Sequence, residues 1–414
     1  MNILLINHYA GSLLHGMEYR PFYLAREWTM LGHHVTVVAA SFSHLRIKQP
    51  EIRDKVSEEY IEGMRYVWLK TPSYEGNGIA RVWNMITFQR RLRKWGKEMS
   101  GTWSPDVVVA SSPHPLVIYP ARDIALKNRS KLIFEVRDLW PLTLIELSGI
   151  SRRHPFVLFL TRAERFAYKH ADHIVSVLPK LDDYLREHGV NPIRFACIPN
   201  GIDIESCLAT SPLPKEHAAA IKELKSKGSF LVGYVGQHGL ANALDYCVEA
   251  GPLLADRNIS LVFVGQGPEK SRLQEKAKML NVENIVFLPP VPRQAVSAVL
   301  EKMDVLLLSW KRSPLYRYGI SPNKIMDYMM AARPIVHAVE SGNDPVAEAE
   351  CGISCQPENP QAIAKAVIEL MERTTNELLT MGLNGKEYVQ HNHDYRVLAK
   401  KYLDIIDHDT AADQ

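Results

Sequence analysis

Phe230-Leu231-Val232-Gly233-Tyr234-Val235-Gly236-Gln237-His238-Gly239 is an apolar run of strand length that stops on a glycine turn. A continuous run of this kind suits a strand buried on both faces, as in a parallel sheet. The pattern then repeats. Helix-like 242–254 leads to strand 260–264, which ends in Gly265-Gln266-Gly267-Pro268. Helix-like 269–280, strand 285–288, helix-like 293–302, strand 305–309, a helix around 324–332 and strand 334–339 continue it. Such alternation predicts a doubly wound parallel sheet.

The same alternation stands at the N-terminus. Strand 3–6 is followed by a small and polar loop, 7–16. A helix over 20–31 carries Phe22, Leu24, Ala25, Trp28 and Leu31 near helical spacing, and Gly32 stops it before strand 35–39. Further strands are expected at 106–110, 131–135, 173–177 and 195–198. The fold class is therefore α/β, with two Rossmann-like domains in series, 1–200 and 201–389. They join near 200–214, where Thr210-Ser211-Pro212-Leu213-Pro214 suits a surface linker. Helices from 361 to 406 close the chain, and a C-terminal helix of about 390–414 is expected to pack back on the first domain.

Composition agrees. The 414 residues are 46% hydrophobic and 23% charged, which excludes disordered, collagen-like and coiled-coil chains. No apolar run approaches the ~20 residues of a membrane span, and Met1–Ile6 has no basic lead or cleavage site, so it reads as a strand rather than a signal peptide. Five scattered cysteines, with Cys351 and Cys355 lacking a second pair, read as reduced thiols rather than a zinc site. Net charge is +3, unevenly divided: residues 1–200 hold 27 Lys+Arg against 19 Asp+Glu, the rest 22 against 27. The basic half is the one expected to face something anionic.

Ligands of open α/β sheets bind at the carboxyl ends of strands, beside glycine turns and helix N-termini. Gly236-Gln237-His238-Gly239 and Gly265-Gln266-Gly267-Pro268 both qualify, although each also reads as a plain turn. Neither completes G-x-G-x-x-G, since Lys270 stands where the third glycine belongs. In Gly319-Ile320-Ser321-Pro322-Asn323-Lys324-Ile325-Met326-Asp327 a Ser-Pro loop enters a helix with Lys324 in its first turn and Asp327 three residues on. Phosphate at the helix start and a carboxylate for ribose hydroxyls is one reading; an ordinary cap with a surface Lys–Asp pair is the other. In the first half, Ser112-Pro113-His114-Pro115 puts an imidazole at a strand end. Glu135, Arg137 and Asp138 stand at the end of another strand, as a cleft constellation or a structural ion pair.

The series Ile198-Pro199-Asn200-Gly201-Ile202-Asp203, Gly265-Gln266-Gly267-Pro268-Glu269, Ser321-Pro322-Asn323-Lys324…Asp327-Tyr328-Met329 and Pro334-Ile335-Val336 resembles the family 4 retaining glycosyltransferases of the GT-B fold. Gly11…His15-Gly16-Met17-Glu18-Tyr19-Arg20-Pro21 and Phe134-Glu135-Val136-Arg137-Asp138-Leu139-Trp140-Pro141 resemble a bacterial surface-polysaccharide subgroup that includes N-acetylfucosamine-type transferases. The resemblance implies two Rossmann-like domains facing an interdomain cleft. It implies a nucleotide-sugar donor, expected to be UDP-linked, on the second domain and a lipid-linked glycan acceptor on the first. To the donor the resemblance carries over Asp327 for the ribose hydroxyls, the Asn323–Lys324 turn for the diphosphate and the glycine loop at Gly11; Gly236, His238, Gly265, Gly267, Arg317 and Ser321 join the expected donor set from their places at glycine turns and the helix entry. Glu18, Arg20 and Glu135 fall to the acceptor, and His114, Arg137, Asp138 and Lys324 to catalysis. The family's Glu-x7-Glu pattern is altered here: its second Glu is Asp327 and its first is Gly319. The Arg and Lys of its first donor loop are also missing, leaving His238, Lys324 and Arg317 as candidate cations. No Asp-x-Asp pair stands in a strand-end loop, and the family binds diphosphate without metal, so no metal and no cofactor are expected.

Residues 81–97 carry six Lys/Arg and no acid, interleaved with Trp83, Met85, Phe88, Leu92 and Trp95. This suits an anionic membrane surface, and equally a solvated helix packed by its apolar side. Arg152 and Arg153 precede a second apolar run within 151–160. Nothing resembles a base-reading module, so nucleic acid is not an expected partner. The expectation is a cytoplasmic enzyme, peripheral on the inner membrane face, in O-antigen or capsule assembly. Its rivals are a sugar-nucleotide epimerase or phosphorylase of the same architecture, and an inactive scaffold of a polysaccharide assembly complex.

Overall fold

A computed structural model describes residues 1–16, 19–99, 103–191, 194–208 and 211–408. The chain divides into two compact units, Met1–Asn200 with the segment from Tyr395 onward, and Gly201–Asp394.

Unit 1 holds strands β1 (Asn2–Asn7), β2 (His34–Ala40), β3 (Val56–Ile61), β4 (Met64–Leu69), β5 (Val107–Ser111), β6 (Lys131–Val136), β7 (His173–Ser176) and β8 (Phe195–Cys197). Their order is β3-β4-β2-β1-β5-β6-β7-β8, parallel except for the β3–β4 hairpin. That hairpin is not anticipated from the sequence. Residues 3–6 of β1 are fully buried because helices cover both faces of the sheet. One cover is the helix Tyr19–Met30, on which the C-terminal helix Tyr395–His408 lies. The Trp28 indole donates to the Ala399 carbonyl at 3.1 Å, Tyr23 stacks on Tyr395 with centroids 4.9 Å apart, and Tyr402 is completely buried.

Unit 2 holds β9 (Phe230–Val235), β10 (Ile259–Val264), β11 (Ile285–Leu288), β12 (Val305–Ser309), β13 (Ile335–Ala338) and β14 (Gly352–Cys355). All are parallel, in the order β11-β10-β9-β12-β13-β14. Strand order reverses between β1 and β5 in unit 1, and between β9 and β12 in unit 2. The carboxyl ends of those pairs are where such sheets bind ligands.

Candidate functional site

At the β9/β12 switch point of unit 2, the glycine turns after β9 and β10 are joined backbone to backbone. The amide of Gly236 donates to the Val264 carbonyl at 2.9 Å, that of Gly265 to Leu288 at 3.3 Å, and that of His238 to Gln266 at 2.8 Å. A Cβ at residue 265 would lie 1.9 Å from the Gly236 carbonyl oxygen, and one at residue 267 would lie 2.3 Å from that of His238. This corrects the expectation that the amides of Gly236 and Gly265 are exposed for a ligand. The amides of Gly236 and Gly265 already have partners inside the protein, and residues 265 and 267 are glycine because two loops touch there. Gly265→Ala is expected to lower stability by about 1–3 kcal/mol through overpacking against backbone, read as a fall in Tm.

His238 is corrected as a cation only. Its ring is fully buried among Tyr234, Phe263 and Phe287, with centroids 5.9, 6.4 and 6.1 Å away. Burial, reinforced by Lys270 and Lys324, brings its pKa down to about 4. It is neutral near pH 7 and supplies no cation.

Lys324 supplies one. It stands in the first turn of the helix Asn323–Met330, and its Nζ lies 4.5 Å above the Tyr234 ring centroid. Nζ donates to the Tyr234 hydroxyl at 2.7 Å and to Asn242 Oδ1 at 3.0 Å. Both acceptors are oriented by the Gln237 carbonyl, which receives the Tyr234 hydroxyl at 2.7 Å and Asn242 Nδ2 at 2.9 Å. Among the described residues no carboxylate pairs with this ammonium, and burial brings its pKa down to about 8. Residue 236 must be small for this contact, since a Cβ there would meet Lys324 Cε at 2.8 Å.

The helix is held in place by Tyr328, part of the Asp327-Tyr328-Met329 run but not among the expected site residues. Its buried hydroxyl accepts from the Val235 amide at 2.7 Å and donates to the Val235 carbonyl at 3.1 Å. The loop before the helix is clamped by Asn343, whose Oδ1 takes the Ile320 amide at 2.7 Å while its Nδ2 reaches the Ile320 carbonyl at 3.2 Å. Asn323 is exposed and Ser321 half-buried at the helix entry. Gly319, where the Glu-x7-Glu pattern has its first carboxylate, sits at φ +96°, a region costly for any side chain. Asp327 is half-buried one turn after Lys324 and accepts from Arg293 at 2.6 Å. Burial raises its pKa, and Arg293 opposes that shift. Arg317 is exposed, stacks on the Tyr318 ring at 4.6 Å and donates to its hydroxyl.

In unit 1 the switch point holds His8 and His114, which follow β1 and β5. His114 Nε2 lies 3.1 Å from His8 Nδ1, and His8 Nε2 lies 2.6 Å from Asn84 Oδ1. Both rings are buried. Burial drops His114 to about pKa 3 and His8 well below the ordinary histidine range. His8 is not among the residues expected at the site, although its place after β1 mirrors that of His114 after β5.

Arg20 and Glu135 are not available to an acceptor. They form an ion pair at 2.9 Å with both side chains 2% exposed. Glu135 also accepts from the Ser111 hydroxyl at 2.6 Å, and Arg20 donates to the Ile198 carbonyl at 2.8 Å and to that of Pro199. Burial would raise the Glu135 pKa, but Arg20 and Ser111 hold it below the usual carboxylate range. This pair fixes the last strand of unit 1 at Ile198-Pro199. Gly11 is buried, with its carbonyl taking the Tyr66 hydroxyl at 3.0 Å. Arg137 is half-buried, its amide bonded to the Ser112 hydroxyl at 2.8 Å, and Asp138 is exposed. Glu18 lies outside the described residues.

The basic helix, Ile79–Glu98, turns its apolar residues inward: Met85, Phe88, Leu92 and Trp95 are buried. Arg91 donates to the Lys55 carbonyl at 3.3 Å. Arg93 pairs with Asp123, and Lys94 with Glu98. Ile79 and Trp83 remain exposed, as do Leu158 and Phe159 on the helix Pro155–His170. Among the described residues no helix is long and apolar enough to cross a membrane, and no group of three His, Cys, Asp or Glu is placed to hold a metal.

Residues 15–201 match the model of the glycosyl transferase 4-like domain, and residues 229–373 that of glycosyl transferases group 1. The chain belongs to the GT-B glycosyltransferases. This glycosyltransferase is similar to the Pseudomonas aeruginosa protein named Probable glycosyltransferase WbjE; the two are 21% identical over 328 residues, 78% of each chain. Anabaena HepE, solved in complex with UDP-glucose, superposes with a TM-score of 0.64 at 14% identity, over 98% of this chain and 99% of its own. WaaG, a glycosyltransferase involved in lipopolysaccharide biosynthesis, superposes with a TM-score of 0.65 at 16% identity, over 98% and 99%.

Proposed function

We propose that this glycosyltransferase moves a sugar, of the N-acetylated deoxyhexosamine class, from a UDP-linked donor to a lipid-linked glycan in surface-polysaccharide assembly. The observation that carries the donor reading is the Lys324 ammonium. It is held at the unit 2 switch point by two neutral acceptors and, among the described residues, pairs with no carboxylate. A nucleoside diphosphate is the anion such a site lacks. Lys324 and the free amides at the start of its helix stabilise negative charge that grows on the departing diphosphate. Asp327 receives the ribose hydroxyls through the oxygen that Arg293 leaves. His114, Arg137 and Asp138 act on the sugar and acceptor side. No nucleophile is assigned: the leaving phosphate takes the acceptor's proton, and the anomeric configuration is retained. No metal or cofactor enters this scheme. Names of the neighbours support it: HepE was solved with UDP-glucose, and WaaG acts in lipopolysaccharide biosynthesis.

The test is calorimetric titration with UDP, GDP and dTDP. Asp327→Ala is expected to weaken the nucleotide that the parent binds by roughly 10- to 150-fold, the loss of charge-assisted hydrogen bonds of ~1.5–3 kcal/mol. Wild-type affinity in the folded variant refutes the ribose assignment. Gly319 at positive φ, where a donor carboxylate is usual, favours one other reading, the inactive scaffold. Binding of none of the three nucleotides would favour it.

Membrane attachment is part of the proposal and rests on the outward residues alone. Trp83, Leu158 and Phe159 are exposed, as are Arg90, Arg93, Lys94, Lys97, Arg152 and Arg153, and Arg90 lies over the Trp83 ring. At ~1 kcal/mol per basic residue near an anionic surface, replacing Arg90, Lys97, Arg152 and Arg153 by Gln should weaken binding to anionic vesicles by about a thousandfold. Unchanged co-sedimentation at low salt contradicts it.

A further inference from the structure

Trp310 directly follows β12 in unit 2, and its indole nitrogen is already engaged. An indole N–H can only donate, so His337 Nε2, 2.9 Å away, meets it with a lone pair. The imidazole proton therefore sits on Nδ1, which donates to Asp344 Oδ1 at 2.8 Å. Asp344 is tied down in turn. Its Oδ1 also accepts the amides of Val346 at 3.1 Å and Ala347 at 3.4 Å, and the Ser354 hydroxyl donates to its carboxylate. His337 is completely buried in β13, whereas Trp310 is half-buried. The Trp310 amide donates to the Ala338 carbonyl at 3.1 Å, and the Tyr316 ring stands edge-on to the indole with centroids 6.4 Å apart. This relay fixes how the indole is turned and uses up its one polar group. What the ring has left to offer a ligand is carbon.

The strand order of unit 2 places that ring along the line of the donor. Asp327, assigned to the ribose, pairs with Arg293 in the segment after β11. Lys324, assigned to the diphosphate, lies against Tyr234 and residue 236 at the end of β9. The strands run β11-β10-β9-β12-β13, so a nucleotide laid from ribose to diphosphate carries its sugar on toward the ends of β12 and β13. Each strand is a step of about 5 Å, which is the scale of one pyranose ring. Lys311, next to Trp310, donates its amide to the Ala241 carbonyl at 2.9 Å, beside the Asn242 that receives Lys324.

We propose that Trp310 is a donor-binding residue whose ring receives the C–H face of the donor sugar, and that His337 and Asp344 are positioning residues that hold the ring for it. A pyranose can cover such a ring with its C–H bonds, whereas a hydroxyl turned toward it would go without a partner. The inference rests on the donor reading of Lys324 and Asp327. The direction of the relay does not, since the indole alone sets it.

The experiment is calorimetric titration of the full chain with UDP, UDP-glucose, UDP-N-acetylglucosamine, GDP and GDP-mannose, carrying forward the nucleotide and nucleotide-sugar that the wild type binds. Trp310→Leu is expected to weaken the nucleotide-sugar about tenfold and to leave the bare nucleotide unchanged. Should Trp310→Leu fold poorly, Trp310→Phe serves: it keeps a ring of smaller area, and the same selective loss is expected at a few-fold. Equal weakening of nucleotide and nucleotide-sugar overturns the proposal, as does a nucleotide-sugar affinity indifferent to both variants. A double-mutant cycle tests the relay. His337→Leu strands the Trp310 N–H and should weaken the nucleotide-sugar in the wild-type background. In the Trp310→Phe background there is no N–H to strand, and His337→Leu should add nothing. The same loss in both backgrounds overturns the positioning role. Nitrogen-15 NMR of the histidine-labelled chain, with His337→Leu assigning the line, should show His337 as its Nδ1–H tautomer. An Nε2–H or imidazolium form overturns the relay. Binding of no nucleotide by the wild type would refute the donor reading and this sugar contact with it, while the NMR result still decides the direction of the relay.

Discussion

Arg20→Met is expected to destabilise unit 1 by about 3–5 kcal/mol, the cost of stranding a buried charge. Glu135 would keep the Ser111 hydroxyl but lose the guanidinium 2.9 Å away, in a site where both partners are 2% exposed. The pH dependence should reverse sign. In the wild type the Glu135 pKa lies below its ordinary value, so its contribution is present above the usual carboxylate range and is lost as pH falls through the folded value. Without Arg20 burial is opposed only by the Ser111 hydroxyl and the more distant Arg137, the pKa rises, and the variant loses further stability as pH climbs. Urea titrations of the full chain at acidic and neutral pH measure both effects. Arg20→Met with Glu135→Gln should recover much of the loss, because a neutral amide replaces the stranded carboxylate. Had these residues served the acceptor, Arg20→Met would leave stability unchanged.

The sequence placed Arg20 and Glu135 near substrate because both stand at ends of elements that face the expected site. That they face each other was hidden, since they are 115 residues apart and only the sheet brings them together. Strands buried on both faces were easy to read: β1, β9, β10 and β12 are near-continuous apolar runs, and the parallel architecture follows from their alternation with helices. The β3–β4 hairpin was not. β3 is an edge strand with Tyr60 73% exposed, and its turn is Glu62-Gly63 rather than the Asn-Gly or Asp-Gly pair that announces a hairpin. β14, four residues of Gly352–Cys355, is too short and polar to stand out.

The site divides the same way. That Lys324 and Asp327 share a helix is local information, and helical spacing delivers it. That Tyr234 and Asn242 receive the ammonium, or that Arg293 takes one oxygen of Asp327, is not local. His238 shows the opposite failure. A histidine after a glycine turn has the chemistry of a phosphate ligand, but its charge depends on burial, and in this chain Phe263 and Phe287 on neighbouring strands enclose the ring.

Lys324→Met should lower kcat by more than it lowers donor affinity, because the charge on the departing diphosphate grows toward the transition state. A charge-assisted contact of ~1.5–3 kcal/mol corresponds to roughly a 10- to 150-fold loss. The wild type offers a test that needs no substitution. Burial brings the Lys324 pKa to about 8, and a diphosphate binds the ammonium form. Nucleotide affinity should therefore hold steady below pH 8 and fall above it, by up to about tenfold per pH unit until the pKa of the occupied site is passed. Folding responds in the other direction. The unfolded lysine keeps its proton up to about 10.5, so between about 8 and 10.5 Lys324 itself adds stability to the empty protein as pH rises, read as the difference between wild type and Lys324→Met, because the buried thiols of Cys207, Cys247, Cys351 and Cys355 act in the opposite direction. Affinity that falls while the Lys324 share of thermal stability climbs over one pH interval is the signature of a cation desolvated to meet an anion. In the Lys324→Met protein the affinity slope should vanish, and the Lys324 share of the stability slope with it. If the affinity slope persists there, some other group titrates at the diphosphate, and Lys324 is a packing residue of the turn between Tyr234 and Asn242.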